Sequence, residues 1–322
     1  MRGSGVGKRP RVEEIDARSA SDEVLAQFAA IEHGTWHERA PGEPVRTTAE
    51  VVAFYRHQPT SHTSCHWLAD GGMGALYVHG PTASFLDLNV FPGMRRQGIG
   101  TAILEQVLDR CRELEVQALH GHHSTADGAA FAAQNGFTDG QRIVRSLLDL
   151  RSADLPEPAP PEGWSLVTWL AHVPEEHLAA FVTARAAMDD APSADDLEFP
   201  TWTAAHVRAS EESLALRNRE MRVTVAIRED GEIGAFTELR VSRGSTLGFT
   251  DDTGTVANHR GQGLARAVKI ASLRRLRADH PEIAVISTSN AEENAAMRHV
   301  NERVGFRPSS IDTTATLSLS VT

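Results

Sequence analysis

Residues 87–101, DLNVFPGMRRQGIGT, and residues 252–266, DTGTVANHRGQGLAR, lie 165 positions apart and align without a gap. The offset superposes Asp87 on Asp252, Arg95 on Arg260, Gly98 on Gly263 and Gly100 on Ala265. Downstream of each stretch the same order recurs: an amphipathic helix, an apolar strand, a second helix and a Gly-Phe pair, Gly136-Phe137 and Gly305-Phe306. A long-period repeat constrains a fold more than a single motif does, because one supersecondary unit must be built twice. Residues 151–163, RSADLPEPAPPEG, carry four prolines among acidic residues with no apolar period, which predicts a stiff, extended linker. A chain of 322 residues has room for two domains. The expected division is a disordered tail over 1–11, a first domain over 12–150, the linker, and a second domain over 164–322.

Within the first copy, strands are expected near Val12–Ala17, Cys65–Ala69, Ala75–His79 and Ser84–Val90. The last alternates Leu86, Leu88 and Val90 with Asp87 and Asn89, the pattern of a half-buried strand. Helices are expected from Ser21 or Asp22 as N-cap and over Ala49–Arg56. The helix over Ile99–Glu113 places Ile103, Leu104, Val107, Leu108 and Cys111 on one face; its counterpart over Leu264–Ala278 does so with Leu264, Ala267, Val268 and Ala271. Strands near Val116–His120 and Ile283–Ser287 precede helices over Asp127–Gln134 and Glu292–Arg303. Strands near Arg142–Leu148 and Thr313–Leu319 close each copy.

Charge and cysteine content remove several function classes. A formal net charge of -11 argues against a nucleic-acid partner, which needs clustered Lys and Arg. No apolar run reaches the length of a membrane span, and the polar start of the chain has no signal-peptide core. Cys65 and Cys111 could form one disulfide, but two structural thiols in a reducing cytoplasm fit better. The cluster His120, His122 and His123 lacks partners at zinc spacing, so no metal is expected. The tryptophans at 36, 67, 164, 169 and 202 are read as core or interface residues.

Each repeated segment joins a strand to a helix through glycine. Arg95-Arg96-Gln97-Gly98-Ile99-Gly100-Thr101 and Arg260-Gly261-Gln262-Gly263-Leu264-Ala265-Arg266 bring backbone close to a ligand. The unpaired N–H groups of the first helical turn, with the helix dipole, suit an anion such as a pyrophosphate. Neither segment fits the spacing of a P-loop or a dinucleotide fingerprint.

These segments resemble the GNAT superfamily of N-acetyltransferases, whose loop reads [R/Q]xxGx[G/A] after a strand ending V-x-P. Val90-Phe91-Pro92 followed by Arg95 to Gly100 matches; the second copy keeps Arg260, Gly263 and Ala265 but has Thr255 and Ala257 in place of valine and proline. The tandem arrangement is similar to actinobacterial double-GNAT proteins of the mycothiol synthase type. The resemblance implies an α/β (α+β) fold: two tandem domains, each a mixed, bent, mostly antiparallel sheet flanked by helices. It also implies acetyl-CoA or a related acyl-CoA as cofactor, held where two strands splay apart by Val90, Thr255, Val256, Ala257 and both loops.

The family's second signature, N-x6-Y-x3-G-F, implies an Asn that holds cofactor and a Tyr that protonates the departing thiolate. Counting back from Gly305 gives Asn294 and Asn301; counting back from Gly136 gives Thr125 and Ala132. The usual acid is therefore absent, and Asn301 can donate a hydrogen bond but not a proton, which leaves water or His299. Amine acylation also needs a base. Glu238, in AFTELR, and Asp252 lie on neighbouring expected strands, and similarity to double-GNAT proteins with the same T-E-L and D-T-x-V-x-x-x-H-R-G pattern supports both. The ordinary alternative for each is a solvated or ion-paired strand carboxylate. Backbone N–H groups around Thr255 and Val256 are expected to polarise the acyl carbonyl.

The leading expectation is direct acyl transfer to a primary amine of a small molecule, with the second half catalytic and the first structural or cofactor-holding. The reversed assignment of the halves stays open, as does a non-catalytic acyl-CoA-binding or sensing protein. Aminoacyl-tRNA-dependent transfer fits the acidic balance poorly. The acceptor is set by variable loops, Gly34–Thr48 and Met188–Thr203, the latter with an acidic stretch over Asp189–Glu198. A monomer or homodimer is expected.

Overall fold

A computed structural model describes residues 9–59, 62–82, 84–188 and 202–319. Most of the expected tail and the acidic stretch Asp189–Glu198 lie outside the described residues. The first half runs β1 (Val12–Ile15), α1 (Asp22–Arg39), α2 (Thr48–Arg56), β2 (Thr63–Ala69), β3 (Gly72–Val78), β4 (Ser84–Val90), α3 (Ile99–Glu113), β5 (Ala118–His123), α4 (Ala126–Gln134) and β6 (Thr138–Asp149). The second half repeats it: β7 (Ser165–Leu170), α5 (Glu175–Arg185), α6 (Ala204–Leu216), β8 (Arg219–Ile227), β9 (Ile233–Ser242), β10 (Leu247–Thr255), α7 (Leu264–Asp279), β11 (Val285–Ala291), α8 (Ala295–Val304) and β12 (Arg307–Ser318).

The strands form one mixed, mostly antiparallel sheet in the order β1-β2-β3-β4-β5-β12-β6-β11-β10-β9-β8-β7. Among the described residues, β4–β5 and β10–β11 are the parallel pairs. The closing strands cross over. β6 pairs with β11 of the second half, from Asp149↔Val285 to Ile143↔Ala291, whereas β12 pairs with β5 of the first, from Ser318↔Ala118 to Thr313↔His123. Sequence order alone places each closing strand against its own copy, and the structure exchanges them. A strand's period fixes which face is apolar but not which free edge it joins, because either edge offers the same row of N–H and C=O groups. Burial follows the exchange: Leu317 packs in the core under α3, while Leu148 and Leu150 pack in the core under α7.

Helix α3 covers the span read from its periodicity and buries Ile99, Ile103, Leu104, Val107 and Cys111. Helix α7 buries Leu264, Ala267, Val268, Ile270, Leu273 and Leu276, with Lys269 inside the same stripe. Helix α8 begins at Ala295 rather than Glu292 because the Asn294 side chain caps it, accepting from the Met297 N–H at 3.1 Å. The linker lies against α7, where Arg277 and Arg274 donate to the carbonyls of Ala153 and Leu155, at 2.8 and 2.7 Å.

Candidate active site

Each half has a place where its parallel strands part. β4 and β5 pair only at Ser84↔Leu119 and Phe85↔His120; β10 and β11 pair from Leu247↔Val285 to Phe249↔Ser287. Past these points the strands diverge, and the repeated turn stands at the mouth. Gly98 and Gly263 are N-caps in the left-handed region, at φ 81° and 83°, preceded by Arg96 at 61° and Gly261 at 77°. The first helical bonds close from Ala102 to Gly98 and from Ala267 to Gly263. The amides of Ile99, Gly100 and Thr101, and of Leu264, Ala265 and Arg266, therefore have no partner within their helices. A Cβ placed on Gly261 or Gly263 would meet nothing within 4 Å, so open space lies over the turn. A turn of this geometry can cradle a pyrophosphate, and the residues present fit one.

The two arginines at the head of the turns do the same job. Arg95 Nε donates to the Val90 carbonyl at 3.3 Å, and Arg260 Nε to the Thr255 carbonyl at 3.2 Å. Each ties its turn back to the strand that feeds it. In the first half Asp127, in the first turn of α4, pairs with Arg95 and Arg96 at 3.2 and 2.9 Å. There the parted strands enclose a cavity of about 350 Å³ lined by Asp87, Asn89, Val90, Gly98, His122 and Phe131.

The second half carries a carboxylate centre. Glu238 on β9 and Asp252 on β10 both accept from the guanidinium of Arg185, the last residue of α5, with the Asp252 contact at 2.6 Å. Glu238 and Arg185 are each only 3% exposed, while the Asp252 side chain is 38% exposed. Trp202, read as a core or interface residue, is exposed, and the Arg185 guanidinium lies over it, 3.7 Å from the ring centroid. A register break in β10 between Thr250 and Thr253 lifts Asp251 and Asp252 out of the ladder, as bulges beside active sites do. Burial pushes the Glu238 carboxyl up to about 7; Arg185 opposes that rise and Asp252 adds to it. In the first half the β3–β4 register is unbroken and Ala75 stands opposite Asp87, which accepts from Asn89 at 2.6 Å. The second carboxylate has no counterpart there.

Other expected site residues divide between those lining the parted strands and those turned away. The Val256 N–H donates to the Gly234 carbonyl at 2.9 Å, so it cannot polarise an acyl carbonyl. By strand alternation the Thr255 N–H points to the opposite edge, toward β11. Ala257 opens the short 3-10 turn after β10, while Gln97 and Gln262 are exposed on their loops. Asn294 and Thr125, which share the repeat position, both act as helix N-caps. Asn301 is buried; its amide donates to the Asn290 side chain at 2.6 Å and its own oxygen is unpaired. Arg185 and Lys269 were not legible in the sequence. Lys269 is buried under the sheet, within 3.3 Å of the Thr253 hydroxyl, and its ammonium is pushed down to about 7 by burial. Both cysteines are free, and among the described residues no group of three His, Cys, Asp or Glu is arranged to hold a metal. No helix among them is long and apolar enough to cross a membrane.

The profile of the Acetyltransferase (GNAT) family matches residues 22–137. Among curated proteins, the mycothiol acetyltransferase of Salinispora arenicola is 30% identical over 261 residues, covering 78% of this chain and 79% of that protein. That of Saccharomonospora viridis is 26% identical, covering 68% and 70%. Among solved structures, a tandem GNAT protein from the clavulanic acid biosynthesis pathway superposes with a TM-score of 0.83 at 24% identity, covering 96% of this chain and 98% of that one. A GCN5-related N-acetyltransferase from Sphaerobacter thermophilus gives a TM-score of 0.70 at 15% identity, covering 96% of each. With two cradles on a twice-built fold and a relative of this similarity across most of its length, the chain belongs to the GNAT acetyltransferase family as a tandem member, an acetyl-CoA-dependent N-acetyltransferase.

Proposed function

We propose that the second half transfers an acetyl group to a primary amine of a small molecule by direct attack, with Glu238 as base. The two units are read as residues 12–150 and 164–322 joined by 151–163, with a tail over 1–11. The observation that carries the assignment is the buried Glu238–Arg185 pair, joined to the part-exposed Asp252 beside the bulge in β10; the first half has no such bulge. Bound acetyl-CoA supplies the reactive thioester, and the rest belongs to the chain. A carboxyl that titrates near neutrality can be ionised yet basic enough to accept a proton from an ammonium. Arg185 fixes Glu238 and Asp252 in one orientation, and the exposed part of Asp252 can relay a proton to solvent through water. The Thr255 N–H is the donor suited to the acyl oxygen. Asn301, where the family carries its tyrosine, offers a hydrogen bond but no proton, so proton return falls to water or His299.

The first half is read as a cofactor-holding unit. Its cavity and arginine-braced turn support binding, and the alanine that stands opposite Asp87, where the second half has Glu238 beside the bulge, supports the absence of turnover. Calorimetric titration of acetyl-CoA into the protein and into Gly98→Glu and Gly263→Glu variants, paired with an amine screen, tests this. Turnover lost with Gly263→Glu and kept with Gly98→Glu is the expected result. Turnover lost only with Gly98→Glu reverses the assignment. Binding without turnover of any amine favours an acyl-CoA sensor instead.

A further inference from the structure

We infer that the junction between the halves holds an anion-binding subsite built on Arg217 and Arg219, and that the amine acceptor carries a carboxylate or phosphate. Three guanidinium groups surround one ring. The carbons of Arg46, Arg217 and Arg219 lie 5.2, 5.2 and 6.0 Å from the centroid of Phe54 on α2. Arg46 is neutralised by Glu32, and the neighbouring Arg240 by Asp251. Arg217 and Arg219 make no ion pair with any described residue. Arg217 spends one N–H on the His57 carbonyl at 3.0 Å. Glu50 is the carboxylate acting on Arg219, but it is committed to the α2 capping box, accepting from the Thr47 N–H and hydroxyl at 2.8 and 2.9 Å. Burial and the neighbouring Arg240 push both guanidiniums down to about 10, yet both stay charged at neutral pH.

Two half-buried cations without counter-charge form a site that an anion would complete, and a guanidinium fork suits carboxylate and phosphate alike. Its position connects it to the transfer centre. Arg219 pairs with Ser242, Met221 with Arg240 and Val223 with Glu238, so Arg219, Arg240 and Glu238 share one face of the sheet in successive rows. Rows are roughly 7 Å apart along a strand. An acceptor with its amine at Glu238 would bring an anionic group to the arginines if the two groups are several bonds apart. The phosphates of a coenzyme in the second-half cradle are not the occupant, and saturation with CoA before the titration removes one in the first half from the reckoning. Arg240 lies opposite Phe249, six residues from Thr255 where the cradle begins, a span of roughly 20 Å.

The acceptor half of this inference rests on Glu238 as the base; the anion site does not, and the test separates them. Inorganic phosphate and, in a second arm, succinate are titrated by calorimetry into protein saturated with CoA, so that the cradles are already filled. Saturable binding of either anion is expected, weakened at least tenfold by Arg217→Gln with Arg219→Gln and kept within tenfold by the paired Lys substitutions. The arm that binds more tightly identifies the anionic group. Single Gln variants replace the double one if it does not fold. No saturable binding, or binding indifferent to the Gln substitutions, overturns the site. In turnover, amines bearing the preferred anion should exceed matched neutral amines at least tenfold in kcat/KM, and that ratio should collapse in the Gln variants. Equal turnover of both kinds in the unsubstituted protein overturns the acceptor assignment while leaving Glu238 intact. Turnover of no amine at all fails the transfer reading, and the anion titration still decides the site.

Discussion

Glu238 is set by three forces of different sign: burial, the Arg185 cation and the Asp252 charge. Its carboxyl is raised from 4.5 to about 7, so the stability it contributes is present in full below about pH 4.5 and is lost as pH rises through 7. In the proposed role of base Glu238 must be ionised, so activity is expected to move the other way. The logarithm of kcat/KM should therefore climb with pH and level off above an inflection near 7, and a flat profile across pH 6–8 would remove Glu238 from the role. Glu238→Gln should lower kcat roughly 10²–10⁴-fold while leaving acetyl-CoA affinity in place, read by steady-state kinetics beside calorimetry. Because Arg185 holds the carboxyl down against burial, Arg185→Met should move the inflection upward. An inflection that stays put would mean that another group controls the profile.

Lys269 is a competing titrating group near neutrality, and it lies on the face of α7 that packs against the sheet. Its folded pKa is depressed from 10.5 to about 7, so the chain is destabilised relative to a neutral side chain mainly at low pH. Lys269→Met should raise the melting temperature by a few degrees at pH 6 and by less at pH 9. Thermal melts at both values check the sign, and an equal gain at both would contradict a buried, uncompensated ammonium.

At the scale of elements, the turn between strand and helix is the part most fully legible in the sequence. Gly98 and Gly263 sit at φ 81° and 83°; a Cβ would meet only Pro10, at an ordinary 3.9 Å, on Gly98 and nothing on Gly263, so the backbone angle, not crowding, demands glycine. Gly263→Ala should cost about 1–2 kcal/mol of stability from the left-handed conformation alone and weaken acetyl-CoA binding by tilting the first-turn amides. Denaturant titration and calorimetry measure the two effects; an alanine with unchanged affinity would show that the amides are not the phosphate donors. Two things at this scale were not legible. The bulge in β10 inserts one residue without any glycine or proline at the break, and Val256 turned out to spend its N–H on Gly234, a matter of register rather than residue type. Arg185 was missed because an arginine ending a helix satisfies the helix dipole equally well with no site nearby.

The whole molecule is bound together by the exchanged closing strands. Arg145 on β6 pairs with Asp312 on β12 at 2.8 Å and with Glu43 at 3.0 Å, and Glu43 also accepts from Ser287 on β11. Three strands from both halves thus share one buried ionic cluster. Arg145→Met should destabilise the chain by about 3–5 kcal/mol, since it leaves two carboxylates buried without their cation. Unfolding of the whole protein should follow one transition, coincident by tryptophan fluorescence and circular dichroism, and residues 1–150 alone should fail to form a stable monomer because β5 and β6 would lose β12 and β11. Two separated transitions would mean that each half re-forms around its own closing strand.

The sequence by itself determined the repeat, the order of elements through the first copy and after the second turn, the two glycine turns and the loss of the usual tyrosine. These follow from local rules, in which period, capping and glycine placement act over a few residues. Only the tertiary structure decided which strand closes which half, which carboxylate is buried, and which arginines meet around Phe54. Those outcomes depend on edges, desolvation and charges brought together from positions far apart in the chain, as with Arg185 and Glu238 or Arg46 and Arg217. No local window of sequence contains the partner that sets them.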